Sequence, residues 1–317
     1  MPNNLLFSDQ FDSIPENQIT ENIAKNSFFS YEKAINPEII DKMLSETELY
    51  KINFNSSAVA SVHSDEGYFN SNAITKSHTV FKFLTSKKIF GIASSYLGNE
   101  FRLKCHRIYS LSPLTRQGWH TDNRKTGDGN IIKINGLVFI VYLNDVFNGE
   151  FQAIKGSHLI SENYKYADYN DDVIKDYSKD IVSFKLPLGS MVIIDIKTIH
   201  RAKPYFNLFW RRKSLFFQID NNIDNAEKAL INPRFINNID KTLFTYLGMG
   251  KKNDMPQEPA TSEIKTLNLK NIIIVQGKVL LAIFCRINWL LKALVNVEKI
   301  KKIIKKFLKI KQQINTK

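Results

Sequence analysis

Two short stretches of the chain pair an imidazole with a carboxylate two residues on: His63-Ser64-Asp65 in HSDE, and His120-Thr121-Asp122 in GWHTDN. That spacing lets both groups reach one metal ion. Joined by a second histidine from a distant strand, such a pair makes a 2-His-1-carboxylate face, which holds non-haem Fe(II) and leaves its other positions open. With six histidines in 317 residues, the segments downstream of each pair decide between them. His63 and Asp65 are followed by a helical stretch through Leu97, with no strand series before the next histidine, His78, and are expected in a polar loop. His120 and Asp122 are followed by several strands and then by GSMVIIDIKTIHRA, in which His200 is expected to end a strand. A period-2 strand closing on a histidine puts its ring at a barrel mouth, so His120, Asp122 and His200 are the expected ligands and catalytic centre.

Two other histidines compete for the third position. His158, in IKGSHL, falls in a turn one or two strands after Asp122 with no arginine following it, which suits a structural role. His106 lies on the strand before the motif and is expected to be a hydrogen-bonded barrel histidine. His200, in contrast, is followed by FWRRKSLFFQID, which sets Arg211 and Arg212 at the start of the next strand. A buried arginine there would grip a dicarboxylate cosubstrate, because guanidinium holds a carboxylate through a two-bond fork and keeps its charge. Strand alternation favours Arg212: if it points inward so do Ser214, Phe216 and Gln218, whereas Arg211 would carry Lys213 into the barrel.

These residues need a β framework, and the chain supplies one after a helical start. Residues 1 to about 30 read as polar and irregular. NPEIIDKMLSE (36–46) has an early proline and apolar residues at helical spacing, and SHTVFKFLTSKKIFGIASSYLG (77–98) reads as one or two helices stopped by Gly98. From Phe101 the texture changes to short β-rich runs: FRLKCHRIYSL, INGLVFIVYL, GEFQAI, DIVSFKL, GSMVIID and KSLFFQID, separated by turn residues. Six strands without intervening amphipathic helices predict an antiparallel sandwich or barrel rather than βαβ units. The polar, tyrosine-rich segment 163–180 is long enough to cover a barrel mouth.

The hydrophobic fraction of 43% is enough for a substantial core. Cys105 and Cys285 form no CxxC pair, which removes a disulfide framework or zinc ribbon and makes a reducing, cytoplasmic setting the default; MPNNLLFSDQFDS lacks the features of a cleaved signal. The net charge of +13 is concentrated at the end of the chain: residues 278–317 carry ten Lys and one Arg against Glu298, a net +10, which leaves +3 for the rest. KKNDMPQEPATSE (251–263) is a linker by composition. The apolar, basic run after it is interrupted at Lys278, Arg286, Asn288 and Lys292, too often for a bilayer span, and suits a helix lying on an anionic membrane surface or against a partner helix through residues 278–311. Nucleic acid is not expected, because the tail lacks interleaved aromatics. The chain thus divides into a main domain over 1–225, an extension and linker over 226–265 and a basic amphipathic helical tail over 266–317.

WHTD (119–122), YLNDVFNGEFQAIKGSH (142–158), PLGSMVIID (187–195), His200 and RKSLFF (212–217) together resemble the phytanoyl-CoA dioxygenase family of Fe(II)/2-oxoglutarate oxygenases, over roughly residues 25–222. The resemblance implies a mainly β chain with flanking helices: a double-stranded β-helix (jelly roll, cupin-like) core with N-terminal helices packed on it. It further implies Fe(II) on His120, Asp122 and His200, 2-oxoglutarate with an arginine on its distal carboxylate, O2 as oxidant, and hydroxylation of a small-molecule or lipid-linked substrate with release of succinate and CO2. Halogenating relatives replace the carboxylate by a small residue, so Asp122 favours hydroxylation. Two departures stand out: His200-Arg201-Ala202 lacks the small hydroxyl often found two residues after the distal histidine, and the family spacing puts Arg212 one residue late, which keeps Arg211 in play. The rival is a cupin-type jelly roll that binds a metal or sugar without 2-oxoglutarate and has no need of an inward arginine.

Overall fold

The chain's computed structural model describes residues 6–47, 61–63, 67–71, 73–111, 118–122, 134–160, 168–169, 174–205, 207, 210–224 and 228–251, with isolated helical positions at 273, 280, 284 and 287. Helices α1 (Asp9–Asp12) and α2 (Glu16–Asn26) lead into strand β1 (Phe28–Tyr31) and helix α3 (Pro37–Thr47). Strands β2 (Ser61–His63) and β3 (Gly67–Ser71) precede helices α4 (Ala73–Lys76), α5 (His78–Leu84) and α6 (Lys87–Leu97). Then come β4 (Arg102–Leu111), β5 (Trp119–His120), β6 (Gly136–Tyr142), β7 (Phe151–Ile154), β8 (Asp168–Tyr169) and β9 (Ile181–Phe184). The β series closes with β10 (Met191–Asp195), β11 (His200–Ala202) and β12 (Arg212–Asp220), and a short helix comes after it at Lys241–Tyr246.

GLVFIVY, the sequence of β6, has no polar face, and the strand is buried along its whole length. A strand of that kind must be covered on both sides. It lies inside a seven-stranded sheet of order β1-β10-β6-β12-β4-β3-β2, opposite a five-stranded sheet of order β8-β5-β11-β7-β9, and every pairing is antiparallel. Strands β4 to β7 and β9 to β12 pass between the two sheets in jelly-roll order. Alternation divides the larger sheet's residues: Leu137, Phe139, Val141, Leu215, Phe217 and Ile219 join the helices in one core, while Val138, Ile140, Tyr142 and Phe216 face the smaller sheet with Phe151, Ala153, Phe184 and Ala202. Burying one Ile, Leu or Phe in either layer stabilises the fold by roughly 1.5–3 kcal/mol.

The expected helical segment 77–98 is two helices. Ser77 and Ser86 each accept a hydrogen bond from the backbone N–H three residues on, and Gly98 ends α6 at φ +88°. The first 30 residues, expected to be irregular, are instead α1, α2 and β1. In ENQITENIAKN only Ile19, Thr20 and Ile23 are buried, and the N-cap residue, Pro15, makes no side-chain cap, so the sequence signal is thin. Tertiary contact supplies the rest, including a 3.0 Å hydrogen bond between Thr20 Oγ1 and Ser95 Oγ on α6. His63, expected in a loop, lies on β2 at the edge of the larger sheet, and Asp65 falls outside the described residues. Within 163–180, Asp168–Tyr169 add an edge strand to the smaller sheet and Lys175–Asp180 form a 3₁₀ turn.

Residues 228–251 pack on the domain. Ala229, Tyr246 and Leu247 belong to the helix-side core, and the Tyr246 hydroxyl donates to the Leu84 carbonyl at 3.0 Å. No helix among the described residues is long and apolar enough to cross a membrane. The tail lies almost entirely outside the described residues.

Candidate metal centre

His120 ends β5 and His200 opens β11, and the two are direct antiparallel partners across the smaller sheet. His200 therefore does not end a strand, as its sequence context predicts. Strand β10 stops at Asp195 instead, because the chain turns at 196–199 and crosses from the larger sheet to the smaller. The turn is fixed by Asp195, whose Oδ1 accepts from the Lys197 N–H at 2.6 Å while its carbonyl accepts from the Thr198 N–H at 2.9 Å. Asp122 is tied to the same turn by its backbone N–H, which donates to the Ile196 carbonyl at 2.9 Å. Thus the register of two short strands and one turn brings a residue 80 positions away onto the His-x-Asp pair.

The imidazole centroids are 4.4 Å apart, and one ligand atom from each of His120, Asp122 and His200 lies within 4.8 Å of the others. Each histidine has its Nδ1 against a backbone carbonyl: His120 with Gly118 at 2.9 Å and His200 with Thr198 at 2.8 Å. An Nδ1–H donated to a carbonyl fixes the tautomer and leaves Nε2 with its lone pair for a metal. Burial and the facing His120 ring hold His200 down to about 4, so it is the neutral, ligating form near neutral pH. Asp122 Oδ2 is buried with no hydrogen-bond partner among the described residues and sits 3.7 Å from His200 Nε2. A carboxylate oxygen in that position calls for a cation, and the donor set suits a first-row divalent metal.

Arg212 is 1% exposed, a deeply buried guanidinium on the inner face of β12. Its NH1 donates to the Gly149 carbonyl at 2.7 Å and its NH2 to the Tyr109 hydroxyl at 2.9 Å, while Nε has no acceptor among the described residues. Alternation holds as expected, with Ser214 and Phe216 turned to the barrel interior and Leu215 and Phe217 to the helices. Arg211 precedes the strand and is half-buried; its carbonyl accepts from Asn144 Nδ2 at 2.9 Å. Ala202 offers no hydroxyl, and the hydroxyl that meets Arg212 belongs to Tyr109 on β4. Sequence reasoning missed it, although alternation puts Tyr109 on the same face of β4 as Cys105 and Leu111.

The side chains and histidines around this group differ in what they meet. Phe151 lies beside His200, with ring centroids 5.2 Å apart. Trp119 faces away, packed with Ile154, Ile174 and Ile199 and covered by the Arg201 guanidinium at 4.3 Å. His158 is structural, its Nε2 lying 3.0 Å from the Ala24 carbonyl. His106 departs from the hydrogen-bonded histidine expected of it: it is buried on the helix side of β4, and neither ring nitrogen has a hydrogen-bond partner among the described residues. The alternation that turns Arg107 inward turns His106 into an apolar layer that lacks acceptors.

A jelly roll that converges two histidines and an aspartate, with a buried arginine on the strand after the distal histidine, defines the class of Fe(II)- and 2-oxoglutarate-dependent enzymes. The family model of phytanoyl-CoA dioxygenase (PhyH) matches residues 28–213, and the chain belongs to this family. Among solved structures it is similar to the epimerase SnoN from nogalamycin biosynthesis, in complex with Fe3+, alpha ketoglutarate and nogalamycin RO, at 15% identity and a TM-score of 0.49 over 64% of this chain and 82% of that one. It is also similar to SnoK, a non-heme alpha ketoglutarate dependent carbocyclase of the same biosynthesis, at 16% identity and a TM-score of 0.48 over 70% of this chain and 88% of that one. No curated protein matches the chain.

Proposed function

We propose that His120, Asp122 and His200 hold Fe(II), that Arg212 binds the distal carboxylate of 2-oxoglutarate, and that the enzyme hydroxylates a small-molecule or lipid-linked substrate. The observation that carries this is the convergence of three ligand atoms within 4.8 Å, with both histidine Nδ1 atoms committed to backbone carbonyls. Iron and 2-oxoglutarate, when bound, supply the oxidising chemistry: O2 is consumed, the cosubstrate becomes succinate and CO2, and the substrate gains a hydroxyl. The protein supplies position and dryness. Asp122 and the two imidazoles would hold the metal through three protein ligands, a set that would leave positions for the cosubstrate. Arg212, itself 1% exposed, holds a carboxylate away from water, where a charge-assisted two-bond contact is strongest. Tyr109 orients the guanidinium, and Phe151 packs beside the distal imidazole.

Anaerobic addition of Fe(II) and 2-oxoglutarate to the full chain should produce a visible charge-transfer band, and admission of air should release succinate. Asp122→Ala and His200→Ala should abolish the band while His63→Ala retains it. Absence of both band and succinate in the wild type would leave a metal- or sugar-binding jelly roll as the better account.

A further inference from the structure

Gly156-Ser157-His158 closes the stretch 142–158 that carries the family likeness, yet no step of the proposed chemistry uses it. The segment sits between the last turn of α2 and the turn that delivers His200. Gly156, at φ +73°, donates its N–H to the Asn26 carbonyl at 3.0 Å, and His158 Nε2 lies 3.0 Å from the Ala24 carbonyl. Ser157, bracketed by these two contacts, is fully buried, and its Oγ accepts the Ile199 N–H at 2.8 Å. The Ile199 carbonyl in turn accepts from the Ile154 N–H at 3.0 Å, so the residue before His200 is held at both its polar groups.

The Ser157 contact falls on one particular peptide group. The carbonyl of the Thr198–Ile199 peptide lies against His200 Nδ1 at 2.8 Å, and the N–H of that same peptide is the one Ser157 accepts. A single planar amide therefore joins the Ser157 hydroxyl oxygen to the distal imidazole. Hydrogen bonds in such a row polarise one another: accepting the amide N–H makes the amide oxygen a better acceptor for Nδ1–H. A better acceptor at Nδ1 increases the basicity of Nε2 and holds the ring in one orientation. Ser157, Thr198, Ile199 and His200 are all buried, which keeps water from competing for these bonds. His120 differs, because its Nδ1 lies against the carbonyl of Gly118, an exposed residue.

We propose that Ser157 is a positioning residue for the metal centre, acting through the Thr198–Ile199 peptide on the direction and donor strength of His200. This rests on the iron site proposed above and extends it to a side chain outside the ligand set.

The test uses the full chain and three variants. Ser157→Ala removes the acceptor, and Ser157→Cys replaces it with a weaker one. Ser27→Ala removes a different buried hydrogen bond of the same region, from Ser27 Oγ to the Ile154 carbonyl at 3.1 Å, which is not part of the row. Co(II) affinity, measured without 2-oxoglutarate against a competing chelator, should fall about 10–100-fold in Ser157→Ala and less in Ser157→Cys. The charge-transfer band of the anaerobic Fe(II) and 2-oxoglutarate complex should move to shorter wavelength in the same order, because a weaker donor to the metal raises the energy of moving charge away from it. Ser27→Ala should lose stability in urea unfolding of the metal-free protein with the band unmoved. Should Ser157→Ala fail to fold, Ser157→Cys reads the same two quantities. Wild-type Co(II) affinity and an unmoved band in the Ser157 variants would overturn the proposal. So would a Ser27→Ala protein as weak for Co(II) and as displaced in its band as Ser157→Ala, since the effect would then belong to a loosened turn. A wild type that binds no Co(II) and gives no band defeats the metal site first, so the two failures are distinguishable.

Discussion

Replacing Arg212 by methionine should move the protein's own stability and its cosubstrate affinity independently. The guanidinium is 1% exposed and faces no described carboxylate, so without cosubstrate it is a buried charge whose hydrogen bonds among the described residues go to the Gly149 carbonyl and the Tyr109 hydroxyl. Losing those two hydrogen bonds from a charged group costs about 1.5–3 kcal/mol each, while exchanging buried ionic groups for apolar side chains of similar volume returns roughly 1–4 kcal/mol. Stability of the 2-oxoglutarate-free protein should therefore range from about unchanged to a few kcal/mol lower. Binding falls in every case: removing one partner of a desolvated charge pair costs about 2–5 kcal/mol, or roughly 30-fold to a few thousand-fold in 2-oxoglutarate affinity. At a concentration about 100 times the wild-type Kd the wild type gains about 2.7 kcal/mol of stability, and a variant bound about 100-fold more weakly gains about 0.4 kcal/mol. Urea unfolding with a redox-inert divalent metal, with and without 2-oxoglutarate, reads both quantities, and Arg211→Met serves as the control that keeps the cosubstrate shift. An Arg212→Met protein that still responds to 2-oxoglutarate like the wild type would show that the arginine is a structural strut.

His106 should make the fold acid-sensitive. Burial lowers its pKa from the ordinary 6.5 to about 3, so below 6.5 the unfolded chain takes up a proton that the folded chain refuses. Stability is then unaffected above that range and falls as pH drops from 6.5 towards 3, by at most about 1.4 kcal/mol per pH unit. His106→Leu should flatten this slope in urea unfolding between about pH 7 and 5, and equal slopes for variant and wild type would refute the assignment. Gly149 has φ +60°, and a Cβ there would lie 2.3 Å from Tyr205 Cδ1, so Gly149→Ala should lose about 2–4 kcal/mol from left-handed strain and overpacking. Because the Gly149 carbonyl also orients Arg212, weakened 2-oxoglutarate binding should accompany the lost stability. Tyr246→Ala should cost about 3–5 kcal/mol, since the side chain is fully buried against Phe90 and Phe101, and a thermal melt equal to the wild type's would show that residues 228–251 are dispensable.

Much of the site was legible because its signals are local. The His-x-Asp spacing, the β texture after Phe101 and the inward choice of Arg212 all come from residue identity and the two-residue period of a strand, neither of which needs knowledge of partners. The N-terminal elements were not legible for the converse reason. Helix α2 has an apolar face only two isoleucines wide, and β1 is four residues that become a strand by pairing with β10. His106 shows the same limit in another form: alternation fixes its side of the sheet, but whether an acceptor waits there depends on residues far along the chain.

The sequence by itself therefore determined the donor types, the strand series and the family, since these reside in residue identity and short-range period. Only the tertiary structure decided which residues meet. The His120 and His200 pairing rests on strand register across 80 residues, Asp122 is held by a turn between two sheets, and Tyr109 reaches Arg212 because β4 and β12 are neighbours. Register between distant strands is set by the burial of whole faces at once, and that is a property of the packed chain rather than of any stretch of it.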